Sequence, residues 1–153
     1  MRVRADEARD AFQTWFAAMR TEGTFPFATL VGGVPVGHTS YLNVREGDRV
    51  VEIGNTWLAR SAWGTGANTE AKLLLLRHAF EDEGFLRVEF KTDAANERSR
   101  AALAAFAQFE GVFRKHMLVR GGERRDSAWY SVIDDDWPAV RDVLRGLLAR
   151  KAR

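Results

Sequence analysis

The 153-residue chain contains no cysteine. That absence removes disulfides, Cys-ligated zinc, a thiol nucleophile and a cysteinyl acyl-enzyme from the chemistries open to it. Proline occurs three times and glycine 13 times, too seldom for a disordered or low-complexity chain. No apolar run approaches the ~18 residues of a membrane span. The leucine run at residues 73–76 has charges on both sides, and the first residues, Met1-Arg2-Val3-Arg4-Ala5-Asp6-Glu7, lack the apolar core of a signal peptide. Neither sign of charge dominates. The 23 basic and 21 acidic side chains leave +2, and the basic residues, mostly arginine, are spread along the sequence. Their densest stretch, Arg141 to Arg153, suits a solvated helix face better than a nucleic-acid footprint, which needs a larger clustered excess. The expectation is a cytoplasmic protein with neither a nucleic-acid nor a membrane partner. No cluster of His, Asp and Glu has metal-ligand spacing, so no metal is expected.

What the chain does have is periodicity. Its length suits one domain, taken as residues 1–153, and a chain of this size buries enough surface to fold without staples. Phe12, Trp15, Phe16 and Met19 form the stripe of an amphipathic helix over residues 5–22. Two strands follow, at 25–31 and 34–44, joined by Gly32-Gly33, a pair suited to a tight hairpin. Gly37 is read as the mark of a bulge. A third strand, at 49–58, leads into a glycine-bearing loop and a helix that stops at Gly84. A buried strand at 86–91 and an alanine-rich helix at 96–106 come next. A hairpin of 109–119 with 127–133 precedes a last helix capped by Asp134, Asp135 and Asp136, with Trp137 and Pro138 in its first turn. Strand, helix, strand, helix, strand in the middle requires a parallel crossover, so the fold class is α/β or α+β with a mixed sheet.

The segment from Glu52 to Leu76 carries the chemistry. A strand that ends in a Gly-rich loop opening a helix aims several backbone N–H groups, and the positive end of the helix dipole, at one spot suited to phosphate. Gly64 and Gly66 allow close backbone approach. A plain strand-to-helix turn accounts for two glycines equally well. Neither a Walker A loop nor a dinucleotide fingerprint is present, since no Gly-Lys-Ser/Thr and no third glycine follow.

Five blocks follow in order: Glu52-Ile53-Gly54-Asn55-Thr56-Trp57-Leu58, Trp63-Gly64-Thr65-Gly66-Ala67-Asn68-Thr69-Glu70-Ala71-Lys72, Lys91-Thr92-Asp93-Ala94-Ala95-Asn96-Glu97-Arg98-Ser99-Arg100, Phe109-Glu110-Gly111-Val112-Phe113-Arg114-Lys115-His116-Met117 and Arg125-Asp126-Ser127. Together they resemble the GNAT N-acetyltransferases, within them the branch related to the RimJ/RimL ribosomal-protein N-terminal acetyltransferases. The likeness covers about residues 25–145. It implies a mixed, centrally splayed β-sheet flanked by helices, with acetyl-CoA in the split as cosubstrate and an amine as acceptor. By the same resemblance, backbone N–H groups of Gly64, Thr65, Gly66, Ala67, Asn68 and Thr69 hold CoA beside Trp63. The edge of the strand at Asn55, Trp57 and Leu58 pairs with the pantetheine arm and polarises the acetyl carbonyl. Asn96 contacts that arm and Ser99 lies near the thiol sulfur. Spaced i, i+3, these two share a helix face, and both also favour first-turn capping positions.

Acetyl transfer to an amine needs a neutral amine, a polarised carbonyl and a proton for the departing thiolate. An α-amino group with pKa near ~8 is partly neutral already, whereas a lysine near ~10.4 must lose a proton. With no cysteine to carry an acyl group, direct attack in a ternary complex is the consistent route. Glu52, an acid inside a strand between Val51 and Ile53, is the first candidate base; a structural pairing with an arginine such as Arg114 is the alternative. His116 is the second candidate, near where RimL-type enzymes place a glutamate that this chain lacks at about Met117.

Three departures bear on function. The glutamate near Met117 is absent, the turn at residues 106–109 has no glycine, and relatives in this branch begin with a strand and a helix ahead of the segment that starts here at Ala5. The chain is therefore expected to lack that first strand and helix, and to expose a sheet edge that a second copy would cover as a homodimer. These departures also motivate an alternative function, a non-catalytic CoA-binding or interaction module on the same fold.

Overall fold

The sheet begins with a hairpin, because Gly32 and Gly33 both adopt positive φ (58° and 80°) at the turn between its strands. The structure, a computed structural model, describes residues 13, 14, 17 and 23–151. Most of the helix expected at 5–22 lies outside those residues. In chain order the elements are β1 (Phe25–Val31), β2 (Val34–Arg45), β3 (Val50–Leu58), α1 (Ala67–Arg77), β4 (Arg87–Asp93), α2 (Glu97–Ala104), β5 (Gln108–Leu118), β6 (Arg124–Ile133) and α3 (Trp137–Lys151). A wider helical turn, His78–Asp82, extends α1, and Asn96 caps α2. Among the described residues no helix is long and apolar enough to cross a membrane.

The six strands form one mixed sheet in the order β1-β2-β3-β4-β6-β5. Every neighbouring pair is antiparallel except β3 with β4, which are parallel and joined through α1. That parallel contact is brief: Val50 faces Arg87, Val51 faces Val88 and Glu52 faces Glu89, and there it ends. β4 nevertheless stays paired with β6 from Arg87 to Asp93, and β3 stays paired with β2 as far as Leu58. The sheet therefore divides into two antiparallel halves that part beyond Glu52.

Alternation along the strands sorts the two faces. Val51, Ile53, Val88, Phe90, Ala128, Tyr130 and Val132 point to one side, where they pack with Leu75, Leu76, Ala79, Leu103 and Leu144 of the helical segments. Leu76 and Leu144 have no exposed surface; burying such a side chain contributes about 1.5–3 kcal/mol. The opposite face carries Glu52 and Glu89, both buried. Burial of acids is tolerated only with partners. Glu89 meets Arg87 at 2.9 Å and Arg45 at 3.3 Å. Arg87 also makes a two-point contact with Glu110, whose Oε1 accepts from Ser131 Oγ at 2.6 Å.

Gly37 adjoins the bulge expected of it, since β1–β2 pairing steps from Thr29–Gly37 to Leu30–Pro35 and leaves residue 36 unpaired there. It faces Leu58, and a Cβ there would lie 2.5 Å from the carbonyl oxygen of Trp57 and 3.2 Å from Leu58 Cα. Close backbone approach requires this glycine, and the irregular positions lie on either side of it.

Candidate active site

The parting of β3 from β4 is reinforced by a bulge. His38 faces Trp57 and Ser40 faces Gly54, so Asn55 and Thr56 together oppose the single residue Thr39. Asn55 takes φ of 50°, which turns the strand at this point. Between the halves lies a cleft of about 710 Å³, within the range that holds small-molecule ligands. On the β3 side it is lined by Glu52 and residues 53–58 with Trp63, Asn68 and Lys72; on the β4 side by residues 90–92, Asn96, Arg98 and Ser99; Met117 and Arg125 come from the β5–β6 hairpin.

The loop before α1 is held from within. Thr65 Oγ1 donates to the Ala62 carbonyl at 2.7 Å and accepts the Ala67 N–H at 3.2 Å. Of the expected CoA donors, the Ala67 N–H is thus engaged inside the loop. The first bond of the α1 ladder runs from the Glu70 N–H to the Gly66 carbonyl at 2.8 Å, so the Asn68 and Thr69 N–H groups have no partner within the helix. Lys151, from the end of α3, donates to the Thr65 carbonyl and to Thr69 Oγ1, each at 3.3 Å, and brings a cation to the same spot. Gly64 takes φ of 74°, and a Cβ on Gly66 would sit 3.1 Å from Leu148 of α3. Asn68 lines the cleft, and its buried Oδ1 has no partner.

Trp63 is anchored by its Nε1, which donates to the Leu58 carbonyl at 2.9 Å. The guanidinium carbon of Arg98 lies 4.1 Å from its ring centroid, and that of Arg60 lies 5.6 Å away. Across the cleft, Asn96 Oδ1 accepts the Ser99 N–H at 3.0 Å. Capping and cleft lining are therefore combined in this pair.

Glu52 is 1% exposed, yet lines the cleft. Its partner is Lys91, at 3.0 Å from Oε2, rather than Arg114; Asn43 Nδ2 donates to the same oxygen at 2.7 Å. The preference for Lys91 follows from strand order, since β4 adjoins β3 and places Lys91 two residues beyond Glu89. His116 is elsewhere. Its Nδ1 lies 3.1 Å from Ser127 Oγ, and its ring packs 5.5 Å from Phe113 and 5.6 Å from Trp129. It does not line the cleft.

Lys72 is the residue that sequence reasoning passed over. It is 5% exposed, and its Nζ donates to Thr56 Oγ1 at 2.8 Å and Thr39 Oγ1 at 3.4 Å, 5.8 Å from the Phe90 ring centroid. No carboxylate pairs with it among the described residues, and loss of hydration lowers its pKa to about 7. The signal was present: Lys72 shares a helical stripe with Leu75, Leu76 and Ala79, a cation at i where apolar residues occupy i+3, i+4 and i+7.

Comparison with known proteins draws these features together. The family described as acetyltransferase (GNAT) domain matches residues 2–106. YdaF of Bacillus subtilis (strain 168), provisionally named a ribosomal N-acetyltransferase, is 31% identical over 108 residues, 71% of this chain and 58% of that protein. The chain thus spans less than two-thirds of that relative. Among solved structures, a provisionally named acetyltransferase from T. thermophilus is 38% identical with a TM-score of 0.83, covering 94% of this chain and 74% of its own. RimJ of Mycobacterium smegmatis, solved in complex with CoA-disulfide, is 26% identical with a TM-score of 0.79, covering 99% and 75%.

Proposed function

Because the chain belongs to the acetyltransferase (GNAT) domain family, we propose that it moves an acetyl group from acetyl-CoA to a primary amine, a peptide N-terminus or a small amine, by direct attack in a ternary complex. The observation that carries this reading is the early end of β3–β4 pairing at Glu52 and Glu89. It leaves the β3 edge at residues 53–58 without a neighbouring strand on that side, next to a cleft that a linear, amide-bearing molecule can enter.

The residues present fit acetyl-CoA. Asn68 Oδ1, buried and unmatched, suits an amide N–H, and the loop 63–69 with Lys151 suits a pyrophosphate. When bound, acetyl-CoA supplies the activated thioester. The backbone of Asn55, Trp57 and Leu58 positions the arm and polarises the carbonyl, and Asn96 and Ser99 face the thiol end, where the Ser99 hydroxyl gives the departing sulfur a proton. Glu52 takes the proton of the incoming ammonium, its carboxylate fixed through Oε2 by Lys91 and Asn43. His116 is set aside as base, because it faces Ser127 and aromatic rings rather than the cleft.

The test is incubation with acetyl-CoA and a panel of N-terminal peptides and amines, following free thiol. Release with at least one acceptor is expected, faster as pH rises and the acceptor loses its proton. A thermal shift with CoA but no turnover across a broad panel would replace this reading with the non-catalytic CoA-binding module. No thermal shift with CoA would sink both.

A further inference from the structure

The hairpin side of the cleft holds a cation that nothing in the fold uses. Arg125 lines the cleft opposite Met117, its partner across β5 and β6. Its Nε is shut off from solvent and has no hydrogen-bond partner, and no ion pair involves it among the described residues. Four residues on, on the same face of β6, the buried Nε1 of Trp129 is likewise unmatched, above Lys91 at 5.4 Å. One face of one strand thus offers two unmet donors, one of them charged.

The acids nearby do not answer them. Asp126 points to the other face by alternation and spends Oδ1 on the Lys115 N–H at 2.6 Å. Glu52 is held by Lys91 and Asn43. A partly buried guanidinium without a counter-charge is costly, and an anionic ligand would remove that cost.

The cleft is polarised along its length. Glu52 stands in the row of Glu89 and Ser131, and Arg125 lies six residues along β6 from that row, roughly 20 Å of strand. The two long side chains shorten this gap, but a single α-amino acid does not span it. An extended peptide advances roughly 3.3 Å per residue, so an amine near Glu52 brings about its third residue to Arg125.

We infer that the acceptor is a peptide N-terminus with an acidic side chain within its first few residues, and that Arg125 receives that carboxylate. This rests on the acetyl-transfer reading and adds a substrate class to it. The balance of the transfer is unchanged: the amine nitrogen forms the new bond to the acetyl carbon, the carbon–sulfur bond breaks, and Arg125 takes no proton.

The experiment uses the intact chain with matched peptides that differ only by Glu against Gln, or Asp against Asn, at the second, third or fourth position. Initial rates are measured with acetyl-CoA, and binding by calorimetry with CoA present. An acidic peptide should exceed its amide twin at least tenfold in kcat/KM through KM. In R125M that ratio should fall to about one, while R125K keeps part of it and the KM for acetyl-CoA stays put. Equal rates for every pair, equal losses on both members in R125M, or a raised acetyl-CoA KM in R125M would each overturn the inference. If no peptide is turned over, tighter binding of the acidic twin that R125M abolishes upholds the site and overturns acetyl transfer. Equal binding of the twins without turnover overturns both.

Discussion

Arg98 sits over Trp63, its guanidinium carbon 4.1 Å from the indole centroid, and so links the first turn of α2 to the loop that opens α1. Each residue lines a different wall of the cleft. The contact bridges the two halves of the sheet at the cleft. A cation–π pair of this kind is worth about 0.5–2 kcal/mol. W63A and R98A should each raise the KM for acetyl-CoA by roughly 2- to 30-fold, and the double variant should lose little more than either single one. Additive losses in that cycle would show that the stack is not shared.

Glu52 and Lys91 should separate chemistry from stability. E52Q keeps the shape but cannot take a proton, and kcat should fall by about 10²–10⁴ with the CoA-induced thermal shift intact. K91M leaves a carboxylate that is 1% exposed without its counter-charge, at a cost of about 3–5 kcal/mol by chemical denaturation. Adding E52Q to K91M should restore much of the stability and none of the activity. An active E52Q enzyme would remove Glu52 from the mechanism.

Lys72 makes stability depend on pH in a definite direction. Burial lowers its pKa to about 7 from an ordinary value of 10.5, so between these limits the unfolded chain binds the proton more tightly than the folded one. Stability therefore rises with pH across that window. The burden is greatest below about pH 7, at roughly 1.4 kcal/mol for each tenfold loss of proton affinity. K72M should flatten the rise, and urea midpoints at about pH 6, 8 and 10 read it directly. A slope unchanged in K72M would assign it to other groups.

The Arg87–Glu110 contact acts at the other end of the scale. Its hydrogen bonds to Arg87 hold the Glu110 carboxyl down at about 2, with help from Ser131. For a lowered acid, the contribution is complete above the ordinary value of 4.5 and disappears as pH falls through about 2. E110Q should be less stable at neutral pH and lose less between pH 4.5 and 2, as followed by circular dichroism.

Most of the fold was legible because its punctuation is local. Gly32-Gly33 fixes the first hairpin, and β1 occupies the residues its pattern predicts. Asn96 as a cap and Asp134, Asp135 and Asp136 before α3 are likewise read from neighbours. Trp63, Asn68, Asn96 and Ser99, which line the cleft, were open to the same reading, since residues 63–69 and 96–99 are continuous segments. What escaped was set by strand order. That Glu52 meets Lys91, 39 residues away, depends on β4 lying beside β3. That Arg125 reaches the cleft depends on β6, not β5, adjoining β4. Lys72 escaped because a polar residue in a helix is ordinarily assigned to solvent, and the Thr39 and Thr56 hydroxyls that receive it come from two other elements.

Three residue pairs between β3 and β4 are all that close the sheet at its centre. In a lever picture they are the hinge from which two arms extend. Beyond the hinge β3 runs six residues to Leu58, roughly 20 Å, so tilting one half by about 5° moves the tip by nearly ~2 Å. Val51 and Val88 sit in the joint with no exposed surface. The width of the mouth therefore depends on how tightly two valines pack, one of them next in the chain to Glu52. Trimming either one should change how fast the arms open and close before it changes anything about the chemistry between them.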